Sequence, residues 1–174
     1  MTTIQMEAKI ILSLNVVDCW VYDLNGIQTI NKSKEKIKKL VFNKYMKYNA
    51  GKYRVYKGNK KPYIINSPFK FNISYSSKIM IIAISLEKIG LDIEKFQPKK
   101  NMNKLLERFF LFHRDNEKSY LNNETKESFF YKLWTKKESY IKLKNKSVFA
   151  NLKVDTSIYN LLSPDRDHKI LINN

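Results

Sequence analysis

The segment from residue 79 to residue 96 constrains the fold more than any other part of the chain. Residues 79–84 form a short apolar run between polar residues, and a run of this length favours a buried strand over a helix. The polar residues and the glycine at 87–90 predict a turn, which leads into a second strand over residues 91–96. This part of the chain is therefore expected to form two strands in close succession.

Two acidic residues fall on the second of these strands. Successive side chains of a strand point to opposite faces, so Asp92 and Glu94 are expected to share one face while Leu91 and Ile93 point to the core. Taken alone, such an Asp-x-Glu pair is most often a solvated surface. Like charges at this spacing repel one another, however, and a cation between them would relieve the repulsion. The pair therefore suits either a surface or a metal site.

A long helix is predicted over Lys126–Lys144. Its buried side is marked by apolar residues at helical spacing: Phe130, Leu133, Trp134 and Ile141. Glu138 and Lys142 lie four residues apart at the edge of this apolar side. By default such a pair is an ion pair on a helix surface, but its position beside Trp134 favours a place at the rim of the buried side.

Together these segments supply three carboxylates, Asp92, Glu94 and Glu138, with Lys142 one helical turn beyond the last. Mg²⁺ takes hard oxygen ligands, typically one or two carboxylates together with phosphate oxygens and waters. The set is therefore suited to holding Mg²⁺ on a diphosphate. Residues 71–76, Phe-Asn-Ile-Ser-Tyr-Ser, add hydroxyl groups and backbone N–H donors that suit a phosphate, although the same stretch also suits a strand entering a turn.

The remaining elements are predicted from periodicity and turn residues. Apolar, β-branched and aromatic residues predict one strand over residues 8–24, followed by a turn near Asn25-Gly26. An apolar stripe with lysines opposite predicts a helix over Lys34–Tyr48, with Ser33 before it as the N-cap. Shorter elements are expected elsewhere: extended segments at Val55 and Ile64, a helix over Asn103–Phe112 and a strand over Leu152–Val154.

The charge of the chain has two explanations. A net charge of +17 favours a polyanionic partner in general. Only four of the 33 basic residues are arginine, however, and the abundance of Lys, Asn and Ile is the usage expected of an AT-rich coding sequence. The chain also lacks an Arg-rich or aromatic-interleaved basic patch, so a nucleic-acid partner is not expected.

Cysteine content and hydropathy favour a cytoplasmic protein. Cys19 is the single cysteine, which excludes an intrachain disulfide and fits a reducing compartment. The apolar stretch Ile10–Val21 is interrupted by Asn15 and Asp18, and it is shorter than the roughly 20 apolar residues that a membrane span needs. A soluble protein without membrane association is therefore expected.

Taken jointly, the motifs resemble the 4′-phosphopantetheinyl transferases, in particular the monomeric Sfp-type branch. The resemblance is carried by four matches: Lys61-Pro62, residues 71–76 except Tyr75, Gly90–Glu94 and Trp134–Lys142. It covers roughly residues 53–155, and as a combination the motifs are highly specific.

The resemblance implies an α+β fold of two similar halves in a pseudo-twofold arrangement, each with a helix packed on a small antiparallel sheet. Residues 1–88 would form the half on the nucleotide side of a coenzyme A cleft, and residues 89–174 the half that carries the acids. The implied reaction transfers 4′-phosphopantetheine from coenzyme A to a serine of an apo acyl or peptidyl carrier protein, releasing adenosine 3′,5′-bisphosphate. The enzyme would be a monomer with Mg²⁺ as cofactor, and its basic surface would steer the typically acidic carrier proteins.

Individual residues acquire roles from the same resemblance. Asp92, Glu94 and Glu138 would hold Mg²⁺ on the coenzyme A diphosphate. Glu138 is also the candidate to assist deprotonation of the serine, and Lys142 the candidate to stabilise the transferred group. Three residues would face the nucleotide end of coenzyme A: Lys61, Ser74 and Tyr75.

Tyr75 is where the chain departs from the family, which has a histidine here that contacts the 3′-phosphate of coenzyme A. A phenol does not become cationic near neutral pH as imidazole does, so weaker binding of that phosphate is expected. Two alternatives stay open: a non-catalytic carrier-binding relative with a degenerate coenzyme A site, and a small basic nucleic-acid-binding protein. Retention of all three acids together with Lys142 argues against both.

Overall fold

Two compact units, Met1–Ile89 and Gly90–Asn174, make up the chain. The computed structural model describes residues 9–12, 17–45, 55–56, 62–97, 100–109, 125–145 and 170–173. Each unit combines helix with small antiparallel sheets, so the predicted α+β class is confirmed. The predicted division after residue 88 lies one residue from the observed one, while the roles of the two halves and their pseudo-twofold arrangement stay predictions.

The first unit is built on a four-stranded antiparallel sheet in the order β1-β2-β6-β5. Its described elements are β1 Lys9–Leu12, β2 Val17–Asp23, α1 Ile30–Tyr45, β3 Val55–Tyr56, β4 Tyr63–Ile64, β5 Lys70–Ser76 and β6 Ile79–Ser85. Strands β3 and β4 pair with each other as a separate two-stranded sheet. The strand predicted over residues 79–84 and the extended segments at Val55 and Ile64 are confirmed.

Helix α1 supplies the core of this unit together with the sheet. Side chains alternate along a strand, so Met80, Ile82 and Ile84 of β6 share one face. Ile37 and Val41 of the helix belong to the same buried cluster, and none of the five is more than 2% exposed. Because burying a large aliphatic side chain contributes about 1.5–3 kcal/mol, this helix–sheet contact holds the unit together.

The single strand predicted over residues 8–24 is wrong. The segment forms two antiparallel strands, with Lys9 opposite Trp20 and Leu12 opposite Val17. Strand-forming residues lie on both sides of Asn15, so periodicity alone gives the same pattern for one strand or for two. The turn predicted near Asn25-Gly26 is confirmed, and Gly26 has the positive φ of 72° that favours glycine.

The predicted start of helix α1 is also wrong. The helix begins at Ile30, and the buried Ser33 lies within its first turns rather than at the N-cap. The Ser33 amide donates to the Thr29 carbonyl at 3.0 Å. This helical hydrogen bond shows that the helix has already begun before Ser33, so Ser33 is not its cap. The predicted end at Tyr48 lies outside the described residues.

The second unit pairs a long helix with a two-stranded antiparallel sheet. Its described elements are β7 Gly90–Ile93, α2 Met102–Phe109, α3 Lys126–Lys144 and β8 Ile170–Asn173. Strand β7 lies beside β8, with Asp92 opposite Leu171. Helix α3 contributes Phe130, Leu133 and Ile141 to a buried cluster that also includes Leu106 of α2.

The predicted bounds of α3 are confirmed, and its caps explain them. The Thr125 hydroxyl accepts a hydrogen bond from the Ser128 amide at 3.2 Å. At the other end, Asn145 adopts a left-handed conformation with φ 54°, and its amide donates to the Ile141 carbonyl. Both caps satisfy backbone groups that the helix itself leaves without partners.

Other predictions for this unit hold only in part. Strand β7 ends at Ile93, three residues before the predicted end at Phe96. Helix α2 begins one residue before the predicted start at residue 103, and residues 110–112 lie outside the described part. The strand predicted over 152–154 also lies outside it. Strand β8 was missed because four residues carry little periodicity and their partner is far away in sequence.

None of the helices in the described ranges is both long and apolar enough to cross a membrane.

A chain of hydrogen bonds joins helix α1 to strand β2 in the first unit. The Trp20 indole Nε1 donates to the Tyr45 hydroxyl at 2.8 Å, and that hydroxyl donates to Asp18 Oδ2 at 2.5 Å. Lys44 Nζ lies 4.2 Å from the centre of the Trp20 ring. Burial, and then the bond to Asp18, raise the pKa of Tyr45, so its proton stays in place at neutral pH. Tyr45 is therefore both an acceptor and a donor at the end of the helix.

Replacing Tyr45 with phenylalanine should lower the free energy of unfolding by about 1–3 kcal/mol, because two hydrogen bonds in a partly buried place lose their shared partner. Chemical denaturation of the two proteins measures the difference. Tyr56→Phe is the control, since Tyr56 is half exposed and its ring contacts Tyr63. Equal stability of Tyr45→Phe and wild type would contradict a stabilising role for the two hydrogen bonds of Tyr45.

Candidate active site

Asp92 is at the centre of the candidate site. It lies on β7, and only 4% of the residue is exposed. Lys142, fifty residues further along in helix α3, donates from Nζ to Asp92 Oδ1 at 2.6 Å. The Lys142 side chain is about one third exposed, whereas Asp92 Oδ2 is buried. The ion pair therefore joins a buried carboxylate to an ammonium group that still reaches solvent.

Glu94 lies just beyond the end of β7, not on the strand where it was predicted. Its Oε1 accepts a hydrogen bond from the Trp134 indole Nε1 at 3.2 Å. Trp134 in turn stacks on Phe130, with ring centres 5.8 Å apart and an angle of 18° between the planes. Helix α3 thus orients Glu94 through an aromatic side chain that is itself fixed by packing.

A second aromatic contact holds the segment that follows β7. The Tyr131 hydroxyl donates to the Gln97 carbonyl at 2.5 Å, and the Gln97 amide donates back to that hydroxyl at 3.3 Å. The Tyr131 ring also packs on Phe96, with centres 5.0 Å apart. The residues after β7 therefore follow helix α3, which keeps Glu94 on the same side as the helix.

The acids act on one another electrostatically. The pKa of Asp92 is raised from its ordinary value to about 6. Burial is the largest cause of this rise, the charges of Glu138 and Glu94 contribute to it, and the nearby Lys142 opposes it. Asp92 is thus affected by the charges of Lys142 and of both other predicted carboxylates. Glu138 is half-buried and lies on α3 one helical turn before Lys142.

The chemical type of the side chains at this site, three carboxylates, suits a divalent cation. Carboxylate oxygens are the ligands that Mg²⁺ prefers, and a cation would offset the negative charges of Glu138 and Glu94, which add to the effect of burial on the Asp92 pKa. Across the described ranges, no group of three acidic, histidine or cysteine side chains has the spacing of metal ligands. Lys142 and Trp134 instead engage Asp92 and Glu94.

The residues predicted at the nucleotide end lie in the first unit. Ser74 and Tyr75 are neighbours on β5 and point to opposite faces: Ser74 is buried, and Tyr75 is 41% exposed. The structure therefore does not bring these two side chains together. Lys34 Nζ of helix α1 lies 4.0 Å from the centre of the Tyr75 ring. Lys61 lies outside the described residues.

Lys34 places a positive charge beside Tyr75, where the sequence motif itself contains no basic residue. Tyr75 cannot supply a cation, but the ammonium group of Lys34 lies over its ring in a cation–π contact. Burial, and then the charge of Glu35, raise the pKa of the Tyr75 hydroxyl, which stays protonated at neutral pH. Sequence reasoning missed Lys34, because one lysine in a helix with six gives no local signal.

Lys137 was also missed. It is fully buried in α3 beside Glu138, although adjacent lysines ordinarily indicate a solvated face. A signal was available, since Lys137 continues the stripe of Phe130, Trp134 and Ile141 at spacings of four and three residues. A third lysine, fully buried, therefore lies on the same helix that carries Glu138 and Lys142.

Comparisons with known proteins find similarity mainly in the second unit. Residues 88–169 match the model of the 4′-phosphopantetheinyl transferase superfamily. The 4′-phosphopantetheinyl transferase psf-1 of Bacillus pumilus is 33% identical over 101 residues, which are 58% of this chain and 42% of that protein. A 4′-phosphopantetheinyl transferase of Bacillus subtilis is 35% identical over 89 residues, which are 51% of this chain and 39% of that protein.

A third relative is similar over a shorter stretch. The 4′-phosphopantetheinyl transferase HetI of a Nostoc species is 34% identical over 73 residues, which are 41% of this chain and 31% of that protein. The chain thus matches less than half the length of each of these three relatives. The matched region of the family model contains Asp92, Glu94, Glu138 and Lys142. Residues 88–169 of this chain are thus similar to the 4′-phosphopantetheinyl transferase superfamily, the family that the sequence motifs resemble.

Proposed function

We propose that this chain transfers the 4′-phosphopantetheine group from coenzyme A to a serine of an apo acyl or peptidyl carrier protein, as an enzyme of the Sfp-type branch. The observation that carries the proposal is the buried Asp92, paired with Lys142 and crowded by the charges of Glu94 and Glu138. A buried carboxylate with a raised pKa is costly for folding, and such groups concentrate at functional sites. The names of the similar proteins add support.

In the proposed reaction the serine oxygen attacks the β-phosphorus of coenzyme A. The bond to the bridging oxygen of the diphosphate breaks, and adenosine 3′,5′-bisphosphate leaves. Glu138, half-buried beside the acid cluster, accepts the proton of the serine hydroxyl as general base. The partly exposed Lys142 contacts a phosphate oxygen and stabilises its negative charge.

Asp92, Glu94 and Glu138 are proposed to hold Mg²⁺ on the diphosphate. The bound cation would supply positive charge where negative charge develops on the phosphate oxygens. Binding requires Asp92 to be ionised, and Lys142 favours that form through its ion pair. The Trp134 indole holds Glu94 on the side of helix α3, where Glu138 also lies. Action as a monomer and a place in the cytoplasm stay predictions.

The direct test is intact-mass analysis of apo acyl and peptidyl carrier proteins after incubation with this protein, coenzyme A and Mg²⁺. We expect a covalent mass increase equal to one 4′-phosphopantetheine on the carrier serine. Binding of the carrier without any mass increase would favour the non-catalytic alternative instead.

The pH dependence of stability reports on Asp92. Folding raises its pKa from 3.8 to about 6, so the folded state favours the protonated form. Its stabilising contribution is complete below the ordinary pKa and is lost as the pH rises through about 6. Asp92→Asn keeps the size and removes the titration. Without added metal, raising the pH from acid to neutral should therefore lower the unfolding free energy of wild type relative to that of Asp92→Asn by roughly 2–3 kcal/mol.

Asp23→Asn is the matched control for this measurement. Hydrogen bonds from the Asn25 backbone and then its side chain lower the pKa of Asp23, so this group stabilises the fold above its ordinary pKa and loses that effect as the pH falls. Chemical denaturation of both variants at several pH values should therefore give opposite trends. A common trend would show that folding does not raise the pKa of Asp92.

Replacing Asp92 or Glu138 with alanine should reduce the transfer rate by roughly a hundredfold or more, because the site loses a metal ligand or its general base. Far-ultraviolet circular dichroism should show an intact fold. Glu127→Ala is the control, since Glu127 is an exposed acid in the first turn of the same helix. A wild-type rate for Asp92→Ala in excess Mg²⁺ would show that the assigned role is wrong.

Tyr75→His tests the role that the resemblance gives to residue 75. An imidazolium would add a charge-assisted hydrogen bond worth roughly 1.5–3 kcal/mol to the 3′-phosphate. Coenzyme A should therefore bind on the order of tenfold tighter. Dephospho-coenzyme A, which lacks this phosphate, should bind as before. Calorimetry with both ligands measures the difference.

The matched control is Tyr56→His, which changes another half-exposed tyrosine of the same unit. It should leave the affinity for both ligands unchanged. Equal effects of Tyr75→His on the two ligands would show that residue 75 does not contact the 3′-phosphate.

A further inference from the structure

Strand β7 and helix α3 approach each other closely at Gly90. A methyl group on Gly90 would lie 1.9 Å from the Ser139 carbonyl oxygen and 2.8 Å from the Leu143 amide nitrogen. Both distances are below 3.0 Å, which real Cβ atoms essentially never show. Because the obstructing atoms belong to the helix backbone, no side-chain rotation can make room. The absence of a side chain at residue 90 therefore sets how near the helix comes to the strand.

The same contact lies beside the acid cluster. Gly90 and Asp92 are two residues apart on β7, so they face the same side of the strand. Ser139 and Leu143 are one helical turn apart, Glu138 precedes the first, and Lys142 precedes the second. The turn of helix that contacts Gly90 is thus the turn that carries the general base and the ammonium group.

We propose that Gly90 is a positioning residue that fixes the gap between β7 and α3 and so sets the contact of Asp92 with Lys142. The inference rests on the proposed function for its catalytic consequence. With alanine at residue 90, the helix backbone must retreat by about 1 Å to reach the shortest distance that a Cβ tolerates. The hydrogen bond from Lys142 to Asp92 is 2.6 Å long. A shift of this size would lengthen it past about 3.2 Å, beyond which hydrogen bonds weaken.

The first experiment is a double-mutant cycle on stability, and it requires no substrate. Gly90→Ala, Lys142→Met and the double variant are unfolded in urea and compared with wild type. If Gly90 sets the ion pair, Lys142→Met should shift the unfolding midpoint less than half as far in the Gly90→Ala background as in wild type. Equal shifts in the two backgrounds would overturn the proposal.

Leu133→Ala is the matched control for general destabilisation. Leu133 is a buried core residue of α3, about two turns before Lys142. Its effect on the midpoint should add to that of Lys142→Met, because Leu133 packs in the cluster with Leu106 and lies more than two helical turns from Lys142. Coupling of similar size in this control would also overturn the proposal, since the cycle would then report only a weakened helix.

A further variant, which keeps Gly90, tests the gap between β7 and α3 even if Gly90→Ala does not fold. Asp92→Glu adds one methylene to the carboxylate that faces the helix. When the backbone contact at Gly90 prevents the gap from widening, this extra volume should overpack the site and lower the unfolding midpoint below that of wild type. A wild-type midpoint for Asp92→Glu would show that the gap adjusts freely, and the proposal would fail.

Kinetics then connect the gap to catalysis. At a temperature where both proteins are fully folded, Gly90→Ala should lower kcat for carrier modification at least tenfold and leave KM for the carrier within twofold. Leu133→Ala should keep the wild-type kcat under the same condition. Unchanged kcat for Gly90→Ala would contradict positioning. Absence of transfer by the wild type would refute the proposed function, while the urea cycle would still decide the role of Gly90.

Discussion

The close approach of helix α3 to strand β7 at Gly90 is the constraint on which the candidate site depends. Protein interiors are packed to the density of organic crystals, so a contact between two backbones fixes distances around it. Here it fixes the distance between a strand that carries one acid and a helix turn that carries another acid and a lysine. The capped ends of α3 hold the helix in register, and its aromatic side chains hold the residues after β7.

Burial and charge act against each other at Asp92. Removing a carboxylate from water disfavours its ionised form, and the neighbouring glutamates add to this effect. Lys142 opposes both by providing a positive charge at hydrogen-bond distance. A partly exposed lysine can exchange this partner for a phosphate at modest cost, because its ammonium group already reaches solvent. The ion pair is thus consistent with a site prepared for an anionic substrate and a cation.

The first unit shows that a motif match does not by itself place side chains. Ser74 and Tyr75 fall in one motif, yet strand alternation turns them to opposite faces of β5. At the exposed face, Lys34 of helix α1 brings a cation to the ring of Tyr75. The ring of Tyr75 therefore has a positive charge beside it that comes from a different element of the same unit. Only the packing of helix on sheet reveals such a neighbour.

Local sequence patterns were sufficient to predict the elements with long or clear periodicity. Helical periodicity predicted the bounds of α3, and the short apolar run predicted β6. The motifs also gave the set of Asp92, Glu94, Glu138 and Lys142, because residue types and spacing are properties of the chain itself. The tertiary structure decided the rest. It ended β7 before Glu94, supplied β8 as its partner, and buried Asp92 and Lys137. These outcomes depend on contacts between residues far apart in sequence, and no local pattern contains the free energy of such contacts.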